Sequence, residues 1–112
     1  MNQRLYERFQ IQLDAKVMDI TNEGQSDGGR LVDVSRGGMC VELAHPVELG
    51  NVVRVDCSEG SFFGQVMHAT RNGSGFRIGI DVFNVLLGRS DLSRLIERAL
   101  AQKDKVRVGC TV

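Results

Sequence analysis

The side chains best suited to chemistry lie in two short runs. The first is Arg4-Leu5-Tyr6-Glu7-Arg8, and the second is Asp33-Val34-Ser35-Arg36-Gly37-Gly38. Each guanidinium is a planar, permanently charged fork of donors, a carboxylate only accepts, and a hydroxyl does both. The glycines add backbone that a ligand can approach closely. Guanine has the complementary pattern. Its O6 and N7 are adjacent acceptors for a fork, and its N1–H and N2–H donate to a carboxylate such as Asp33, with the Ser35 hydroxyl nearby. Phosphates attract further charged donors, and lysine would bring the charge without the fork. The combination suits a guanine nucleotide.

Taken singly, each run has an ordinary explanation. Two arginines four residues apart can be solvated surface charges, and Asp-x-Ser-x-x-Gly often marks a turn closed by side-chain-to-backbone bonds. The surrounding elements must therefore decide whether the two runs meet.

Apolar residues alternate from Phe9 to Val17, which predicts a half-buried strand. Met18 and Ile20 then move the apolar set to even positions, predicting a bend near Val17 before a polar hairpin loop over 21–29. A second strand is expected at 30–34 and a third through Met39, Val41 and Leu43, with the Asp33 run connecting them. Val53, Val55 and Cys57 give a fourth strand and residues 62–71 a fifth. Asn72-Gly73-Ser74-Gly75 is a strong hairpin signal leading to a sixth through Phe76, Ile78, Ile80 and Val82. Beyond Ser90 and Asp91, either able to cap a helix, Leu92, Leu95, Ile96, Ala99 and Leu100 recur at helical spacing.

Six short antiparallel strands without intervening helices favour a closed barrel, because closure removes exposed edges. The expected fold class is all-β with one helix: a six-stranded antiparallel β-barrel plus a C-terminal α-helix. The helix either covers one barrel opening or buries its apolar stripe against a second protomer as a homodimer. Residues 1–103 are expected to form one domain, with 1–8 as a flexible N-terminal segment. Residues 104–112 are expected to form a tail that adds a strand or frays.

The bulk numbers agree with one soluble domain. The chain has 112 residues, is 42% hydrophobic and 25% charged, and its 14 basic and 14 acidic side chains give no net charge. A neutral balance lacks the footprint of a general nucleic-acid binder, and aromatics at 5% are too few for a base-stacking platform. No run approaches the ~18 apolar residues of a membrane span, and the polar start has no signal-peptide core, so a cytoplasmic location is expected. Cys40, Cys57 and Cys110 are odd in number and lack metal spacing, which reads as free thiols in a reducing compartment.

The two arginine and aspartate motifs, in this order and at this separation, are followed by the Ile78-Gly79-Ile80-Asp81-Val82-Phe83 strand and a terminal helix. Together they closely resemble the PilZ domain family, from Arg4 to near Leu100. The resemblance implies a barrel that binds the bacterial second messenger cyclic di-GMP as a ligand, with no other cofactor, the Arg-x-x-x-Arg segment folding over it. Arg4 and Arg8 would hold guanine edges and phosphates, and Asp33, Ser35 and Gly38 would form the guanine-facing turn. Arg36 and Gly37 occupy variable motif positions. In the family, the residue before the first motif arginine, here Gln3, influences whether one ligand or an intercalated pair binds. A further arginine such as Arg36 or Arg77, near Gly79, would then add cation–π contact.

Catalysis and metal binding are not expected. His45 and His68 form no metal spacing pattern, and Ser35 has no nucleophile elbow around it. Gly38, at the start of a strand, is expected either to clear the ligand's approach or to supply special backbone angles. The functional expectation is a non-enzymatic receptor whose N-terminal segment orders on binding and so alters contacts with an unidentified downstream effector. The alternative is an interaction module of the same fold that does not bind the nucleotide.

Overall fold

The computed structural model describes residues 7–84 and 92–110. The alternating patterns become β1 (Phe9–Asp19), β2 (Gln25–Val34), β3 (Gly38–Leu43), β4 (Val52–Cys57), β5 (Gly60–Asn72) and β6 (Gly75–Asn84), followed by one helix, α1 (Ser93–Cys110). The strands close into an antiparallel barrel in the order β1-β2-β3-β6-β5-β4, with β4 returning to β1 through pairs from Ala15↔Cys57 to Asp19↔Val53. The expected fold class holds, and closure leaves most ladder groups paired.

Alternation places Leu31, Val34, Met39, Val41, Val53, Val55, Val66 and Ile78 in the interior, each at most 1% exposed. Each such side chain contributes about 1.5–3 kcal/mol relative to exposure. Leu92, just ahead of α1, and Leu95 and Ala99 within it join the same core. The helical stripe is thus buried against its own barrel, and Leu100, expected in that stripe, is 41% exposed. Two polar ties fix the helix from either side. Glu59, in the β4–β5 turn, accepts from Arg98 at 2.6 Å, while the side-chain amide of Gln102 exchanges two hydrogen bonds with the backbone of Gln12 at 2.8 and 2.9 Å.

The Gln102 tie falls where the β1–β2 register shifts, between Gln10 and Leu13. Ile11 and Gln12 have no Cα partner on β2 there, so a helix side chain takes over the Gln12 N–H and C=O. The bend expected near Val17 is thereby corrected. Ala15, Val17 and Asp19 keep the interior parity, leaving Met18 half-buried and Ile20 exposed. Asp19 occupies an inward position at the barrel end because its carboxylate is satisfied: it accepts from the Asn22 backbone N–H at 3.2 Å and from the Asn51 amide at 3.0 Å.

Two other boundaries differ from the sequence expectation. β2 begins at Gln25, with Gly28 and Gly29 paired to Lys16 and Ala15, so the turn is confined to 20–24 and uses positive φ at Glu23 and Gly24. The helix runs to Cys110, through residues expected to form a tail, whereas Ser90 and Asp91, the expected caps, lie outside the described residues.

Candidate functional site

The Asp33 run forms the β2–β3 connection, as expected. The Ser35 N–H donates to the Gly38 carbonyl at 2.9 Å, the Gly37 N–H donates to Ser35 Oγ at 3.3 Å, and the Val82 N–H donates to the Gly37 carbonyl at 3.0 Å. Ser35 is 4% exposed, so its hydroxyl organises the turn from within. Gly38 does not have positive φ, and a Cβ there would run into the backbone carbonyl of Ile80 on β6. The glycine is therefore required by close approach of two strands, a reason distinct from the two expected for it.

A bulge in β2 decides which side chains share the outer face. Leu31 pairs with Val41 and Asp33 with Cys40, leaving Val32 as the extra residue. Without that bulge Arg30 and Asp33, an odd number of residues apart, would point to opposite faces. With it, both lie outside while Leu31 and Val34 remain fully buried. A matching bulge in β5, between Val66 and His68, puts His68 opposite Gly79. The His68 ring occupies the space where a Gly79 Cβ would sit, so it is an exposed cover over the glycine.

Two rows then cross the outer face. In one, Asp33, Cys40, Gly79 and His68 are successive register partners, and in the next Arg30, Glu42 and Arg77 follow one another. Over this face lies a cleft of about 650 Å³, walled by Arg8, Phe9 and Gln12 of β1 and its lead-in, Arg30 and Asp33 of β2, and Leu100 and Gln102 of α1, with Glu42 and Arg77 at its far side. Arg30 and Glu42 also border a second concavity of about 570 Å³ that reaches Gly28, Gly29 and Phe76.

Arg8 Nη2 donates to Asp33 Oδ1 at 2.9 Å, joining the two sequence motifs directly. Their side chains are 25% and 23% exposed, shielded but still reachable. Arg77 donates to Glu42 at 2.8 Å, and Asn72 donates to the same carboxylate oxygen at 3.0 Å. The hydrogen bond from Arg77 to Glu42 raises the guanidinium pKa further. Cys40, the register partner of Asp33 on one side and of Gly79 on the other, is a free thiol pushed up to about 11, first by burial and then by the Asp33 carboxylate.

Of the sequence-predicted site residues, Arg8, Asp33 and Arg77 line the cleft. Ser35 and Gly38 are buried in the turn beside it, Arg36 is exposed on the turn, Gly37 is half-buried, and Gly79 lies beneath His68. Gln3 and Arg4 lie outside the described residues. Sequence reasoning did not single out Arg30, Glu42 or Gln102. Their signal depends on the bulge and on helix docking, neither of which alternation reveals. Among the described residues no cluster of His, Cys, Asp or Glu could hold a metal ion, and no helix is long and apolar enough to cross a membrane.

A closed six-stranded barrel with a helix clamped to its first strand, and a motif-lined cleft on its outer face, defines the class. The chain matches the family model of the PilZ domain over residues 2–102 and belongs to that family. Solved structures agree on the fold. The PilZ domain of YcgR from Escherichia coli, solved with c-di-GMP, has a TM-score of 0.65 at 19% identity, covering 96% of this chain and 97% of that one. The inhibitor of motility MotI/DgrA of Bacillus subtilis has a TM-score of 0.67 at 16% identity over 96% of this chain. The K. pneumonia MrkH–c-di-GMP complex has a TM-score of 0.68 at 17% identity over 94%. This chain spans about half of the latter two, 54% and 56% of their lengths. No curated protein sequence matches it.

Proposed function

We propose that this protein is a non-enzymatic, cytoplasmic receptor for cyclic di-GMP, in which the N-terminal arginine segment orders over the ligand and changes the surface offered to an effector protein. The observation that carries the reading is the Arg8–Asp33 pair at the cleft wall, which brings together the fork and the carboxylate that a guanine requires. Membership of the PilZ family and the c-di-GMP bound by the YcgR and MrkH relatives point the same way.

In the free protein Arg8 and Asp33 satisfy each other. Guanine offers Asp33 two donors and offers an arginine two acceptors, so it replaces one ion pair by two charge-assisted contacts. A partly exposed ion pair contributes about 1 kcal/mol or less, whereas each hydrogen bond to a charged group contributes about 1.5–3 kcal/mol, so exchange favours the ligand. Arg4, Ser35 and Gly38 complete the proposed site. Gln3, Arg36, Gly37, Arg77 and Gly79 are assigned to its margin, with Gln3, Arg36 and Arg77 bearing on ligand stoichiometry.

Amide exchange with and without saturating cyclic di-GMP tests the switch. The reading expects slower exchange in residues 1–9 and around 33–38. Unchanged exchange in residues 1–9 would remove the ordering step.

A further inference from the structure

Arg8, Arg30 and Arg77 are the three guanidinium groups that line the cleft. Arg8 is matched to Asp33 at 2.9 Å and Arg77 to Glu42 at 2.8 Å. Arg30 forms no ion pair among the described residues. It donates instead to the neutral Gln12 Oε1 at 3.3 Å, although Asp14 and Glu42 are its register partners on either side. The protein therefore keeps one exposed, unneutralised guanidinium on the wall of the cleft, on the same face as Asp33 only because Val32 bulges.

We infer that Arg30 is the residue that holds a phosphate of the bound nucleotide. The inference rests on the cyclic di-GMP reading above and adds to it a residue outside both sequence motifs. A phosphodiester brings one full negative charge and no donor, so it is held best by a cation that has no carboxylate to give up. Arg8 and Arg77 would each have to leave an anionic partner, whereas Arg30 leaves only a long bond to an amide oxygen. Its position is also suitable. Three residues of strand span about 10 Å at the extended rise, less across a bulge, which is comparable to the reach from the edge of a base to its own phosphate. With guanine at Asp33, the phosphate falls beside Arg30.

The roles separate by chemistry. A base edge needs the planar fork, while a phosphate accepts a point charge, so lysine can substitute at the second and not at the first. Calorimetry with cyclic di-GMP on the wild type, Arg30→Ala and Arg30→Lys, at low and high salt, tests this. The expected result is a weakening of roughly 10- to 100-fold for Arg30→Ala, recovery of most of the affinity in Arg30→Lys, and a smaller loss at high salt. Should alanine disturb the strand, Arg30→Lys, read against Arg8→Lys, carries the same test, with only the former retaining affinity. Wild-type binding with Arg30→Ala within about twofold would overturn the Arg30 assignment and leave the receptor reading intact. Arg30→Lys as weak as Arg30→Ala would overturn phosphate recognition in favour of base reading. A wild type that does not bind would overturn the receptor reading and this inference together.

Discussion

Arg8 and Asp33, 25 residues apart in sequence, meet through a 2.9 Å hydrogen bond between Nη2 and Oδ1 at the wall of the outer-face cleft. Each residue is the other's ligand in the free protein and a candidate ligand for guanine in the bound one. Removing either should therefore hurt binding far more than folding. We expect Arg8→Ala and Asp33→Ala to lower stability by about 1 kcal/mol or less, while each weakens cyclic di-GMP binding by roughly 10- to 100-fold. Urea unfolding and calorimetry on the same samples check this. The double variant should bind more weakly than either single one, because Asp33 and the arginine fork contact different edges of the base.

Gly38 and Gly79 are both buried outer-face glycines, yet substitution should separate them. A Cβ at Gly38 meets the Ile80 backbone carbonyl, which cannot move without shifting β6, whereas the three atoms nearest one at Gly79 all belong to the His68 side chain. Gly38→Ala is expected to cost about 1–3 kcal/mol or more by forcing the strands apart, and Gly79→Ala less than about 1 kcal/mol as the exposed imidazole turns away. Thermal unfolding decides it, and equal losses would contradict the assignment of these contacts.

Gln102→Ala removes the amide that serves both the N–H and the carbonyl of Gln12. Both backbone groups are exposed enough for water to replace it, so the loss should be about 1–2 kcal/mol rather than the full cost of two buried orphans. The visible result should be faster amide exchange at Gln12 and along α1, with the barrel strands away from β1 unaffected.

The Cys40 thiol supplies a pH signature. In the unfolded chain it loses its proton near 9.0, but in the fold not until about 11, because burial and then the Asp33 carboxylate disfavour the thiolate, against the opposing charges of Arg77 and Arg8. Between those values the unfolded state binds fewer protons, so the contribution is complete below about 9.0 and is lost as pH rises toward about 11. Urea unfolding across this window should show a steeper loss for the wild type than for Cys40→Ala. Parallel curves would contradict it.

The barrel was legible because its inward residues are apolar and its outward ones polar over long stretches, as from Phe9 to Val17. Legibility failed where that contrast is absent. Residues 25–29 carry no inward apolar side chains, so they resemble a loop although they pair with β1. The polar run from Lys103 to Lys105 breaks the apolar stripe, yet the helix continues to Cys110. The motif residues Arg8 and Asp33 could be named from sequence. Arg30 could not, because its face depends on the single extra residue Val32, and register is a property of two strands.

The central claim is that Asp33 and the motif arginines read guanine in a cyclic dinucleotide. Its most direct test is calorimetric titration of the full chain with cyclic di-GMP, cyclic di-AMP and GTP under identical salt. Saturable binding of cyclic di-GMP is predicted, with affinity at least about 100-fold above the other two, since adenine presents an acceptor where guanine's N1–H would donate to Asp33 and GTP lacks the second base. Equal binding of all three, or binding of none, would contradict the account.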